Sequence, residues 1–244
     1  MTEFSLSVAA ELDDVYVVDG LSQIQTSLLT LWVGNVVADG APYTRAIGLR
    51  FQNVTVPKDT LIDQAYIVVR AWVTQVSVVV RAKLRGEAAD NPSQFSTYAD
   101  FGSRARTVAA VDWDISSNWI GNTYYPSPNI SALIQEIVNR PNWASGNGLA
   151  IFVEDDGSDA DAYRAVRKFY TTSGCVLYIN GVAFGARRPT DMVGAYTPPI
   201  SPTGLASLVT VEPTAEAHRS SPPYVPHSNQ PGIPLSGVAN RQQE

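Results

Sequence analysis

The sequence predicts an all-β protein, an antiparallel jelly-roll β-sandwich with one short α-helix, followed by an extended Pro-rich C-terminal arm. Three observations carry this. Short segments rich in Val, Ile, Tyr and Trp recur between turn residues, several with apolar and polar residues in alternation. One stretch alone, 131–140, repeats its apolar residues at helical spacing. Composition then changes near residue 188. Every Trp, Phe and Lys and the one Cys precede it, and Tyr196–Thr197–Pro198–Pro199, Ser221–Pro222–Pro223–Tyr224–Val225–Pro226 and Pro231–Gly232–Ile233–Pro234 follow it. The chain divides into a jelly-roll domain at 1–188 and an arm at 189–244.

Taken in order, Phe4, Leu6 and Val8 alternate with Glu3, Ser5 and Ser7 as a first strand. Leu49, Phe51 and Val54 belong to a second, ended by Pro57. Two β-branched runs follow, Ala65–Val73 and Val76–Leu84, and the short break at Thr74–Gln75 predicts a hairpin between them. In the helix, Leu133, Ile134, Ile137 and Val138 share a face, Asn129 or Ser131 caps the start and Pro141 stops the end. Leu149–Val153 and Val176–Ile179 are late strands, with Cys175 a small buried strand residue. The arm has no steady apolar period, and its prolines remove backbone donors, so it builds no core of its own.

Four segments resemble a known module: Leu49–Pro57, Ala65–Ile67, Gly86–Glu87–Ala88–Ala89–Asp90–Asn91–Pro92, and Ile134–Trp143 with the following Ala144–Ser145–Gly146–Asn147. The chain over about 8–182 resembles the jelly-roll, carbohydrate-binding-module-like domains of modular secreted bacterial proteins and of tailed-phage virion structural proteins. The resemblance implies a sandwich fold and no shared catalytic set. It also implies recurring acidic segments, here Asp13–Asp14 and Gly86–Asp90, for which structural calcium is one reading. The secreted relatives are long and multi-modular. No signal peptide is expected here, because the start lacks a positive segment and Glu11, Asp13 and Asp14 interrupt any apolar run. The virion is therefore the expected location.

Composition bounds the chemistry. Charged residues make up 16% of the chain and the formal charge is −6, with no basic block, which argues against a nucleic-acid partner. No apolar run approaches the ~20 residues that a membrane helix needs. One Cys excludes an intrachain disulfide. The only histidines, His218 and His227, lie in the arm, where no fixed pocket holds a general base, so no enzyme is expected. Asp112 and Asp114 flank Trp113, and alternation puts both carboxylates on one face as solvated side chains.

The acidic run Glu154–Asp161 offers Asp155, Asp156, Asp159 and Asp161 around Gly157 as a structural calcium site. It lacks the full twelve-position calcium-loop order, and a solvated loop between strands is the commoner arrangement. Asp13, Asp14 and Asp19 form a second candidate. Trp32, Trp72, Trp113, Trp119 and Trp143, with Tyr124 and Tyr125, either fill the core or form a sugar-stacking platform. No cofactor beyond that calcium is expected.

The arm carries the expected partner contacts. Tyr196, Ile200, Leu205, Leu208, Val209, Val211, Tyr224, Val225 and Leu235 are anchors for grooves or for an added strand on a neighbouring subunit. The expected function is that of a non-enzymatic bacteriophage virion structural protein, a head-decoration or head-fibre/tail-associated component. It would attach through its arm to capsid or tail proteins of the same particle, as a homo-oligomer. The alternative is a carbohydrate-binding module that adheres to surface glycans.

Overall fold

A computed structural model describes residues 2–26, 29–76, 78–169 and 174–182. The arm at 189–244, with Tyr196, Ile200, Leu205, Leu208, Val209, Val211, Tyr224, Val225 and Leu235, lies outside the described residues. Among the described residues, twelve strands and two short helices follow one another. They begin with β1 (Thr2–Ser7), a 3-10 turn at Glu11–Asp13, β2 (Asp14–Val18), β3 (Gln23–Gln25), β4 (Thr30–Ala38) and β5 (Ala41–Val54). Next come β6 (Leu61–Arg70), β7 (Val80–Glu87), α1 (Tyr98–Ser103), β8 (Arg106–Ile115) and β9 (Tyr124–Pro126). The last are α2 (Ser131–Val138), β10 (Asn147–Asp155), β11 (Tyr163–Arg167) and β12 (Val176–Val182).

The expected all-β antiparallel sandwich is what forms. One sheet has the order β1–β12–β6–β9, and the larger has β11–β4–β5–β10–β7–β8, with β2 and β3 added beside β5. All pairings are antiparallel. Alternation sets what each face meets. Ala65, Ile67 and Val69 of β6 pack with Leu49 and Phe51 of β5 and Leu149, Ile151 and Val153 of β10 in the main core. The opposite face of β2, β5 and β10 gives Val15, Val17, Ala46, Ala150 and Phe152 to a second core, which Phe95 and Phe101 close from outside. Gly48 is required there, since a Cβ would stand 2.7 Å from the Phe95 ring.

The expected hairpin at Thr74–Gln75 does not form. β6 pairs with β12 and β9 in one sheet, whereas β7 pairs with β10 and β8 in the other. After β6 the chain leaves the smaller sheet, and isolated bridges Ala71–Val166 and Gln75–Trp119 hold residues 71–76. A two-residue hairpin wants Gly or Asn at its centre, and Thr74–Gln75 supplies neither. Gln75 instead donates from Nε2 to the Tyr163 carbonyl at 3.0 Å and accepts at Oε1 from the Ala165 N–H at 2.8 Å.

Helix α2 forms where expected, with Leu133, Ile134, Ile137 and Val138 all buried. The Asn129 side chain accepts from the Ser131 N–H at 3.0 Å, and from Ala65 N–H on β6, so one amide starts the helix and ties it to a strand. The helix also meets a bulge. β7–β8 register slips between Arg85 and Glu87. The Glu136 carboxylate accepts from the N–H groups of Val108 and Ala109 at 2.9 and 2.8 Å. Helix α1 was not expected. Its signal is the Thr-x-x-Asp spacing of a capping box, with Thr97 Oγ1 accepting from Asp100 N–H at 3.0 Å.

Arg164 is wholly buried and meets no carboxylate among its hydrogen-bond partners. Its Nη2 donates to the carbonyls of Val78, Ile115 and Ser117 at 3.0, 3.3 and 3.0 Å. Burial holds its pKa below the usual arginine range. The side chain thereby pins the sheet crossover to the end of β8. Arg164→Ala should orphan those carbonyls at about 1–3 kcal/mol each. The expected loss in urea unfolding is about 3 kcal/mol or more, and a loss below about 1 kcal/mol would show that water replaces the guanidinium.

Candidate functional site

The described body has a groove of about 370 Å³ on the outer face of the large sheet. Val17 and Ala46 form part of its floor, and Tyr98, Phe101 and Gly102 of α1 form a wall. Lys83 and Arg85 rise from β7, Arg106 from the start of β8 and Glu154 from β10, while Asp155 and Asp156 close one end. Strand alternation explains the mixture: Val80, Ala82 and Leu84 face the main core, so Arg81, Lys83 and Arg85 face out.

The groups in the groove are strongly paired. Arg106 Nε and Nη2 both reach Glu154 Oε1 at 3.0 Å, and the guanidinium lies 3.5 Å from the centre of the Phe152 ring. Glu154 Oε2 is buried without a hydrogen bond, with Arg85 Nη1 at 3.7 Å. Lys83 Nζ contacts Asp156 at 2.6 Å and Asp112 at 3.5 Å, and the Asp156 hydrogen bond holds the ammonium pKa above its usual value. Tyr98 O–H donates to Asp19 at 2.8 Å, which raises the phenol's pKa.

The four proposed calcium ligands are dispersed. Asp155 accepts from the N–H groups of Gly157 and Ser158, Asp156 pairs with Lys83, and Asp159 faces Arg81 at 3.7 Å. Asp161 occupies a left-handed backbone position, φ 64°. Among the described residues no three His, Cys, Asp or Glu side chains converge on a metal position. Asp112 and Asp114 are exposed around a buried Trp113, as alternation requires.

Asp13 and Asp14 face apart. Asp13 accepts from Arg50 at 2.7 Å and from Gln52, and Asp14 from Lys168 Nζ and Phe169 N–H, both at 2.7 Å. The Gly86–Asp90 segment is likewise architectural. Glu87 pairs with Arg104 at 3.0 Å, Asp90 with Arg140 at 2.8 Å, and Asn91 accepts from Gly148 N–H at 2.7 Å. Trp143 is buried and donates to the Val56 carbonyl at 3.0 Å.

Of the aromatic candidates, Trp113, Trp119 and Trp143 are core residues, and Tyr125 stacks on Trp119 at 4.5 Å. Trp32, Trp72 and Tyr124 stay half-buried. Trp32 stacks on Tyr163 at 5.0 Å and carries the Arg45 guanidinium 5.3 Å from its centre. Arg45 Nε and Nη1 are buried with no acceptor. Cys175 is fully buried, which pushes its thiol pKa far up, with Asp14 adding to the effect.

No known protein family matches the sequence, and no curated protein shows significant similarity to it. Sequence reasoning missed Lys83, Arg85, Arg106, Glu154 and Tyr98. The alternating Arg81, Lys83 and Arg85 were a usable signal, since outward cations on a strand call for acids on its neighbours.

Two measurements follow from these side chains. With its carboxylates on separate partners, the 155–161 loop should give the same melting curve in calcium and in chelator. A rise of several degrees in calcium would show that the carboxylates regroup around an ion. Burial raises the Asp14 carboxyl to about 6, against the opposing pull of Lys168. An unfolded Asp titrates near 3.8, so between these values the native state holds the proton and the unfolded state does not. This group's contribution to stability is therefore fullest below about pH 4 and falls as pH rises to about 6. The Asp14 carboxyl ¹³C shift should titrate near 6, and a midpoint near 4 would refute the assignment.

Proposed function

We propose that this chain is a non-enzymatic structural protein of a tailed-phage virion, a head-decoration or head-fibre/tail-associated component held to neighbouring subunits by segment 189–244. The observation that carries this reading is how the described body uses its buried ionisable groups. Asp13 engages Arg50, Asp14 engages Lys168, and Glu87 engages Arg104. Catalysis by acid and base asks for groups that can exchange partners beside a substrate. Those side chains are instead fixed in architecture, which suits a body that serves as a rigid building block.

Two sequence features add support. The resemblance over about 8–182 includes phage virion modules. Segment 189–244 is Pro-rich and weakly charged, with Arg219 and Arg241 against Asp191, Glu212, Glu216 and Glu244. Proline lowers the entropy lost when an extended segment docks. Homo-oligomerisation and capsid or tail partners are the other parts of this proposal.

A second reading, glycan binding, is favoured by the groove. Its charged hydrogen-bonding groups beside Tyr98 and Phe101 combine polar and apolar surface in a small-molecule-sized space.

The test compares full-length protein with a version lacking 189–244, each added to particles stripped of this protein. The full-length chain should stay bound at about 1 M salt, where charges are screened beyond about 3 Å, and the shortened chain should be lost. Equal retention of the two would place attachment in the body. Retention of both on polysaccharide-bearing cells would favour the glycan reading.

A further inference from the structure

Arg45 stands apart from the other enclosed arginines. Arg50 has Asp13, Arg104 has Glu87 and Asp100, Arg106 has Glu154, and Arg164 has backbone carbonyls. Arg45 Nε and Nη1 are buried with neither kind of acceptor. Native proteins pair their buried donors as a rule, so an unmet one asks what supplies its acceptor. Register explains the position. Arg45 lies beside Val18 of β2 and Gly34 of β4, and Gly34 lies beside Tyr163 of β11. That row contains no carboxylate.

The surroundings define the missing acceptor. The guanidinium lies 5.3 Å from the centre of the Trp32 ring, which stacks on Tyr163 at 5.0 Å. An aromatic face offsets part of the charge but gives the in-plane N–H groups no acceptor. The groups acting on the Arg45 charge are the Tyr16 and Tyr163 phenols, with no acid and no second cation among them. Burial raises the Tyr16 pKa, so that phenol stays an O–H donor. The guanidinium is planar, and a carboxylate meets its N–H groups with two in-plane oxygens. A phosphate monoester carries about two negative charges at neutral pH, which a lone cation in a chain of formal charge −6 leaves unbalanced. Trp32, Tyr163 and Arg45 are all half-buried, so ring surface and the charged residue both reach solvent here.

We propose that Arg45, Trp32, Tyr163 and Tyr16 form a binding site for a small organic acid, whose carboxylate takes the unmet Arg45 donors. The ligand is a carboxylate carried on a ring, either a sugar acid or an aromatic acid. The site shares no residue with the lining of the charged groove, and it asks nothing of segment 189–244.

Calorimetric titration of the full-length chain with sodium glucuronate and with sodium benzoate tests it, with glucose and sodium chloride as controls. One or both acids should bind with a Kd of about 1 mM or tighter. Binding of glucuronate alone identifies a sugar acid, and of benzoate alone an aromatic one. Glucose and chloride should give no saturable heat. Arg45→Lys keeps a charge but loses the planar fork, and should weaken binding at least tenfold. Arg45→Met should abolish it. Because that change removes an unpaired buried charge, Arg45→Met without ligand should melt at or above the temperature of the parent protein. The acids should raise the melting temperature of the parent and leave that of Arg45→Met unchanged. Failure of both acids to bind, equal heats from chloride, or equal binding by Arg45→Met overturns the proposal. So does a strongly destabilised Arg45→Met, which would show that water already satisfies the guanidinium in the free protein.

Discussion

The buried pair of Asp14 and Lys168 is the constraint on which the rest of the body depends. Lys168 Nζ donates to the Asp14 carboxylate at 2.7 Å, to the Asp14 carbonyl at 2.6 Å and to the Glu11 carbonyl. Both side chains are shut from water. Removing one partner from such a pair costs about 3–5 kcal/mol, because the other is left charged in a poor solvent. The contact fastens the start of β2 to the exit of β11. β11 in turn pairs with β4 and bridges to Ala71 after β6. One ion pair thus locks the ribbon that joins the two sheets. Arg164 performs the matching task at the crossover, with carbonyls in place of a carboxylate.

A second network organises the cover of the large sheet. Arg104 donates to Glu87, Asp100 and the carbonyls of Ser93 and Gln94, and its guanidinium lies 4.4 Å from the Phe95 ring centre. Burial raises the Glu87 pKa even with Arg104 opposing it. For Asp100, burial also pushes upward, yet Arg104 and the Ser96 N–H hold its pKa low. The loop before α1 is therefore wound around one guanidinium. That winding sets Phe95 and Phe101 over Gly48 and gives the charged groove its wall.

How much of this was readable in the chain depended on the range of the signal. β1, β10, β12 and α2 have local periodicity, so Phe4, Leu6, Ile151, Leu177 and the Leu133–Val138 face were legible. β7 and β6 were legible as strands but not as members of opposite sheets, because pairing is decided by partners far away in sequence. β8 carries Ala109 and Ala110 where a strand usually shows branched residues, and its place came from Glu136 and the bulge. Asp13 and Asp14 looked like metal ligands because adjacent acids carry no mark of the basic residues that meet them. Arg50 and Lys168 lie far along the chain, and only the fold shows that they point at those carboxylates.

The bulge in β8 has one further consequence. A sheet edge is dangerous because its open N–H and C=O groups can receive a strand from any other molecule. At Val108 and Ala109 the Glu136 carboxylate already occupies both donors. Val108 is left 95% exposed there, an apolar side chain beside a stretch of backbone with no donor to offer. A visiting strand finds grease without hydrogen bonds at that point and gains little by stopping. At this point on its open edge the larger sheet is thereby guarded against an added strand.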